Sequence, residues 1–226
     1  MFDLDNTLYP APSDLFIQVN RRITRYIADL LALDFDEARL VQRRYFQLYG
    51  TSLAGLIRVH DIDPHAFLAH VHDIDFTLIG PDPAMIAAID ALPGRKIIYT
   101  NAAIDYAWRV LDRLGLAGRF EAVFDIVKAE FRPKPDRDAF DKLVTRYGLT
   151  PARCVMVEDI ARNLAAAAER GMTTVWVPNG SHWSNEGHGE VRIDHVAPDL
   201  ATWLGALVGS VDSRHANAIV RPEQSL

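Results

Sequence analysis

Asp3-Leu4-Asp5-Asn6-Thr7-Leu8 sets two carboxylates one residue apart, directly after the apolar pair Met1-Phe2. Metal-assisted attack on a phosphate needs such a pair, one oxygen to attack and one to manage the proton. It also needs polar partners from elsewhere in the chain. Three candidates follow: Thr100-Asn101 after Lys96-Ile97-Ile98-Tyr99, Lys134 within Arg132-Pro133-Lys134-Pro135-Asp136, and Glu158-Asp159 after Cys154-Val155-Met156-Val157. In an open α/β sheet the carboxyl ends of the strands meet at one crevice, so these polar groups are expected to converge.

The pattern around these points supports that sheet. From Pro83 onward, short apolar runs alternate with helical periodicity. Helices are expected over 83–91, 104–114, 136–147 and 161–170, the last three stopped by Gly115, Gly148 and Gly171. Strands are expected over 96–100, 122–125, 154–157 and 173–177. Strands separated by helices of this length imply right-handed crossovers and a parallel sheet. Residues 13–76 read differently. Leu15, Phe16, Val19, Ile23, Ile27, Leu30 and Leu31 form one helical stripe behind Ser13, a candidate N-cap. Further helices are expected at 36–49, 53–59 and 64–72. The expected fold class is therefore α/β: a Rossmann-like parallel core over 1–12 and 77–209, with an inserted all-helical cap over 13–76. A long loop over 178–189, a final helix over 198–208 and a weakly ordered tail over 210–226 complete the chain.

Bulk properties exclude several functions. At 226 residues, 49% hydrophobic and 24% charged, the chain has the composition of a globular protein. It carries no apolar run of the ~20 residues needed to span a bilayer. The net charge of −6 argues against a nucleic-acid polymer as partner. Arg21, Arg22, Arg25, Arg43 and Arg44 read as solvated helix faces. Cys154 is the only cysteine, which excludes an intrachain disulfide and a cysteine metal cluster and fits a cytoplasmic location. His182, His188 and His195 are irregularly spaced and read as loop residues rather than metal ligands.

The four polar sets suit one reaction. A phosphate monoester is a dianion, and Asp3, Asp5, Glu158 and Asp159 would surround it with further negative charge. A divalent cation and Lys134 would offset that repulsion, and oxygen-only ligands favour Mg²⁺. Asp3 would attack phosphorus to form an aspartyl-phosphate. Asp5 would protonate the leaving alkoxide and later deprotonate the hydrolytic water. Thr100, Asn101 and Lys134 would hold the phosphoryl oxygens. Taken singly, each set has an ordinary explanation in turns and helix starts. Their joint occurrence at successive strand ends does not.

These residues resemble the four motifs of the haloacid dehalogenase superfamily of phosphohydrolases: Asp3 to Leu8, Thr100 with Asn101, Lys134, and Glu158-Asp159. The resemblance implies a five-stranded Rossmann-like sheet with a helical cap inserted after the first motif. It further implies Mg²⁺ held by the Asp3 carboxylate, the Asp5 main-chain carbonyl and Asp159, with Glu158 nearby. The segment from Arg44 to Leu56, together with Pro133-Lys134-Pro135, is similar to the pyrimidine 5'-nucleotidase group. That similarity implies a small phosphorylated metabolite such as UMP or CMP, with Tyr45 and Tyr49 as candidates to face the base. Packing within an amphipathic helix explains the same tyrosines.

Two departures from the family pattern set further expectations. Relatives carry a longer apolar run before the first aspartate than Met1-Phe2, so a shortened central strand and lower stability or activity than in an extended chain are expected. Asn163 stands where many relatives carry a second acid, which bears on the metal's surroundings and on Lys134. The alternatives are a phosphosugar phosphatase or phosphomutase of the same superfamily and, from another class, a non-catalytic phospho-ligand binding module.

Overall fold

Alternate residues of each short strand point into different layers, and that alternation defines the core. Ile97, Tyr99, Phe124, Met156 and Trp176 pack with Phe140, Leu143 and Leu164 on one face. Ile98, Val123, Val157 and Val175 pack with Val110, Leu111, Ile89 and Leu204 on the other. The computed structural model describes residues 1–181 and 183–219. Strands β1 (Ile97–Tyr99), β2 (Ala122–Phe124), β3 (Val155–Glu158), β4 (Thr173–Trp176) and β5 (His195–Val196) are all parallel to their neighbours. Phe2 bridges Ile98 on one side and Val157 on the other, joining the β1–β2 pair to β3–β4–β5. The resulting order is β2, β1, the segment at Phe2, β3, β4, β5. Burial on both faces explains the near-continuous apolar strands.

Four helices fill the span after the first aspartates: α1 (Leu15–Leu31), α2 (Phe35–Tyr49), α3 (Ser52–His60) and α4 (Pro64–Val71). Helix α1 packs on α2 and α4, and α2 packs on α3. Asp34 and Glu37 form a reciprocal capping box at the start of α2. Thr51 and Asp63 cap α3 and α4 through their side chains. Helices α5 (Pro83–Ala91), α6 (Ile104–Arg113), α7 (Arg137–Tyr147), α8 (Ala165–Glu169) and α9 (Leu200–Ile219) follow. Among the described residues, no helix is long and apolar enough to cross a membrane.

Several local expectations change. Ser13 lies in a short 3₁₀ turn, and Asp14, at φ 62°, takes the N-cap position of α1 without a side-chain cap. The helix expected over 161–170 is a 3₁₀ turn, Ala161–Leu164, followed by the short α8. Ala161 N–H donates to the Ser184 carbonyl at 3.0 Å and Arg162 N–H to the Glu186 carbonyl at 2.7 Å, so the turn is tied to the loop over 178–189. Strand β5 is an addition, paired to β4 through Val175 and Trp176. The last helix continues past Gly209 to Ile219, through residues expected as tail. No proline interrupts that stretch. Residues 220–226 of the expected tail lie outside the described residues.

Candidate active site

The pairing of Phe2 with Ile98 and Val157 puts Asp3 level with the ends of β1 and β3. Its N–H donates to the Val157 carbonyl at 2.9 Å. Lys134 enters the same level from the segment before α7. Its ammonium donates to Asp3 Oδ1 at 2.5 Å, to Glu158 Oε2 at 2.6 Å and to the Tyr99 carbonyl at 3.0 Å. Lysine, aspartate and glutamate are all buried. Three acceptors match the three ammonium hydrogens, which is the condition for burying a lysine without a stranded charge. Burial alone would lower the Lys134 pKa, but Asp3 and Glu158 outweigh it and raise it above the usual lysine value.

Glu158 is held in turn. Its Oε1 accepts the Ile160 N–H at 3.2 Å and the Asn163 side-chain amide at 3.2 Å. Asn163, where relatives often place an acid, therefore acts as a donor that orients the lysine's partner. Thr7 donates its hydroxyl to Asp3 Oδ2 at 3.0 Å. Asn101 Oδ1 accepts the Lys134 N–H at 2.9 Å, fixing the lysine segment to the end of β1. Thr100 Oγ1 accepts the Ala102 N–H at 3.0 Å, which leaves its hydroxyl hydrogen for another acceptor.

Asp5 is partly buried, and its Oδ1 accepts two phenol hydroxyls, Tyr9 at 2.5 Å and Tyr106 at 2.7 Å. Burial raises the Asp5 pKa, against the downward pull of these two hydrogen bonds. Asp159 is anchored by the loop over 178–189. Asn179 donates to its Oδ2 at 2.7 Å, and Ser184 Oγ and Trp176 Nε1 donate to its carbonyl at 2.6 and 3.0 Å.

Among the described residues, Asp3, Glu158 and Asp159 are the one set of three potential ligands whose atoms lie within 4.8 Å of one another. Burial, with Glu158's charge next, pushes Asp3 up to about 7 and raises Asp159 well above the usual carboxylate range. Three buried carboxylates face one ammonium, an imbalance that a divalent cation would relieve. The donors are all oxygen, which suits a hard cation. Glu158 Oε1 accepts two hydrogen bonds within the chain, whereas each Asp3 oxygen accepts one and Asp159 accepts its one on Oδ2, so Asp3 and Asp159 keep more lone pairs for a ligand. His188 instead packs on Trp176, with ring centroids 4.6 Å apart, and His195 on Trp203 at 5.6 Å. His182 lies outside the described residues.

The two expected pocket tyrosines separate. Tyr45 is buried among the helices, with its hydroxyl 2.7 Å from His60 Nε2. A Cβ on Gly55 would fall 2.6 Å from Tyr45 Cβ and Cγ, so Gly55 lets α3 approach α2 closely at this tyrosine. Tyr49 lines a cleft with Gly50, Pro133, Lys134 and Pro135. Gly50 closes α2 at φ 86°, and a Cβ there would lie 3.2 Å from Pro133 Cγ. Arg162 ties this end of α2 to the sheet, donating to the Gly50 carbonyl at 3.0 Å with its guanidinium 4.1 Å from the centre of the Phe46 ring.

Sequence reading missed Thr7, Tyr9, Tyr106, Asn179 and Ser184. Thr7 and Tyr9 stand four residues after Asp3 and Asp5, a spacing that one tight turn converts into contact. The other three reach the site only through the tertiary fold.

Known proteins align with this arrangement. Residues 1–171 match the family of haloacid dehalogenase-like hydrolases. Phosphate metabolism protein 8 of Saccharomyces cerevisiae is 28% identical over 189 residues, 76% of this chain and 58% of that protein. The chain thus spans less than two thirds of that relative. The glyceraldehyde 3-phosphate phosphatase of Methanocaldococcus jannaschii is 29% identical over 198 residues, 80% of this chain and 85% of that protein. Among solved structures, CbbY from Rhodobacter sphaeroides in complex with xylulose-(1,5)bisphosphate superimposes with a TM-score of 0.64 at 17% identity, covering 88% of this chain and 93% of that one. The match over residues 1–171 includes all four motif sets, and the chain belongs to the haloacid dehalogenase-like hydrolase family.

Proposed function

We propose that this chain is a Mg²⁺-dependent phosphoric monoester hydrolase acting through an aspartyl-phosphate on Asp3. The observation that carries the reading is the buried Lys134, bonded to Asp3 and Glu158 beside Asp159. Oδ2 or Oδ1 of Asp3 forms a bond to phosphorus as the bond from phosphorus to the leaving oxygen breaks. That oxygen takes a proton from Asp5. Water then attacks the phosphorus, gives its proton to Asp5 and releases phosphate, restoring the Asp3 carboxylate. The Thr100 hydroxyl and the Asn101 amide hold phosphoryl oxygens as charge builds on them, and Lys134, whose three hydrogens go to Asp3, Glu158 and the Tyr99 carbonyl, adds its positive charge beside them. Bound Mg²⁺, held by Asp3, Asp159 and the Asp5 carbonyl, would supply charge neutralisation at the phosphoryl group. In the same reading, residues 13–76 act as a cap over a core formed by 1–12 and 77–209.

For the substrate we infer a small phosphorylated metabolite, a pyrimidine nucleoside monophosphate such as UMP or CMP in the first instance. Tyr49 supports it by offering an aromatic ring in a cleft shared with the lysine segment, Pro133 to Pro135. A second reading, a phosphosugar, draws support from the archaeal relative named as a glyceraldehyde 3-phosphate phosphatase. Phosphate release with Mg²⁺ across nucleotides and sugar phosphates tests both. Asp3→Asn is expected to lower turnover by ~10⁴-fold or more without lowering the melting temperature. Release unaffected by that substitution would overturn the mechanism, and preference for one substrate class would decide between the two readings.

A further inference from the structure

Asp5 has an asymmetric environment that the reaction scheme does not use. Two buried phenols, Tyr9 and Tyr106, donate to the same oxygen, Oδ1, and their hydroxyls lie 3.4 Å apart. Among the described residues, Oδ2 accepts no hydrogen bond. Tyr106, in the first turn of α6, is itself fixed from the helical side. His72 stacks on its ring at 4.2 Å and 22°, and Phe76 packs at 5.7 Å.

We propose that Tyr9 and Tyr106 are positioning residues that make Oδ2 of Asp5 the atom that carries the proton in both half-reactions. The proposal rests on the assignment of Asp5 as acid and base. An oxygen that already accepts two hydroxyl hydrogens has both lone pairs committed, so a proton added there must displace a donor. Oδ1 therefore behaves as the carbonyl oxygen of the acid, and Oδ2 gives the proton to the leaving oxygen and takes one from water. A phenol keeps its proton at neutral pH, so both remain donors. The paired bonds also stop rotation of the carboxyl group, which fixes the direction of proton delivery.

The leaving group reports this role directly. Glycerol phosphate expels an alkoxide that needs a proton, whereas p-nitrophenyl phosphate expels a phenolate that hardly does. The ratio kcat/KM reports steps up to formation of the aspartyl-phosphate, so the later hydrolysis does not blur the comparison. Tyr9→Phe and Tyr106→Phe are each expected to lower kcat/KM for glycerol phosphate by about tenfold. The loss for p-nitrophenyl phosphate should be about twofold or less, with the double variant approaching Asp5→Asn in selectivity. Equal losses on both substrates, or no loss on either, would overturn the proposal. Asp5→Asn separates the two levels. If it shows the selective loss and the tyrosine variants do not, the positioning role alone fails. If it shows none, the acid assignment fails and the positioning role with it. Melting temperatures of all variants exclude unfolding as the cause.

Discussion

The crevice at the strand ends and the group of four helices beside it solve different problems with polar side chains. In the crevice, one ammonium meets three acceptors, and Glu158 in turn is held by Asn163 and a backbone amide. Among the helices, Tyr45 meets a single histidine, and α2 leaves Leu40 and Leu48 64% and 60% exposed. Strand register sets Lys134, Asp3 and Glu158 within hydrogen-bond distance, while the helical group meets the core at points such as the Gly50 carbonyl, which accepts from Arg162, and His72, which stacks on Tyr106.

Removing the ammonium attacks the crevice where it is most interdependent. Lys134→Met leaves Asp3 and Glu158 buried without their shared cation. It is expected to cost about 3–5 kcal/mol in metal-free denaturant unfolding, besides abolishing phosphate release. A loss below about 1 kcal/mol would mean that the crevice is no more tightly coupled than the helices.

The join between the two regions predicts a pH effect. Burial pushes the His72 imidazole down to about 4 in the folded chain. At this residue the unfolded chain therefore binds an extra proton between about pH 6.5 and 4, so the contribution of His72 to stability falls as pH falls through that window, opposite in sign to that of the raised carboxyls of Asp3 and Asp159. With His72 partly exposed, the loss should be about 2 kcal/mol. His72→Phe, which keeps the ring on Tyr106, should remove this component, read as the difference in urea-derived stability between variant and parent over the same range. An unchanged slope would remove His72 as the titrating group.

The smallest effect belongs to the helices themselves. Tyr45→Phe removes the bond to His60 and should cost about 1 kcal/mol in thermal unfolding, with kcat and KM for every substrate unchanged. A selective rise in KM for nucleotides would instead return Tyr45 to the substrate pocket and weaken the contrast between the regions.

Much of the crevice was legible before any coordinates. Asp3, Thr100 and Glu158-Asp159 each follow an apolar run, and parallel strands leave such residues at one edge. Lys134 was legible for a different reason, because two flanking prolines are poor helix formers around a residue that would otherwise be surface. Tyr106 and Asn179 were not legible, since a helix residue and a loop residue reach the site only through crossovers whose lengths sequence periodicity does not specify. The 3₁₀ opening of the helix expected over 161–170 was not legible either. Its own composition favours helix, and its ties to the Ser184 and Glu186 carbonyls exist only in the tertiary fold. Tyr45 carried a pattern compatible with both packing and recognition, and the structure shows the packing, its burial against Gly55 and its contact with His60.

The wedge at Phe2 bears on how the chain assembles. Its neighbours in the sheet, Ile98 and Val157, are supplied by the middle of the chain and by its later part. The two halves of the sheet thus stay apart until one short segment bridges them, and closing so long a loop carries an entropic barrier. During synthesis Asp3 and Asp5 precede both strands that position them and therefore wait, solvated, until β3 has emerged from the ribosome. The order in which these parts are made is thus the reverse of the order in which the crevice can close around Asp3.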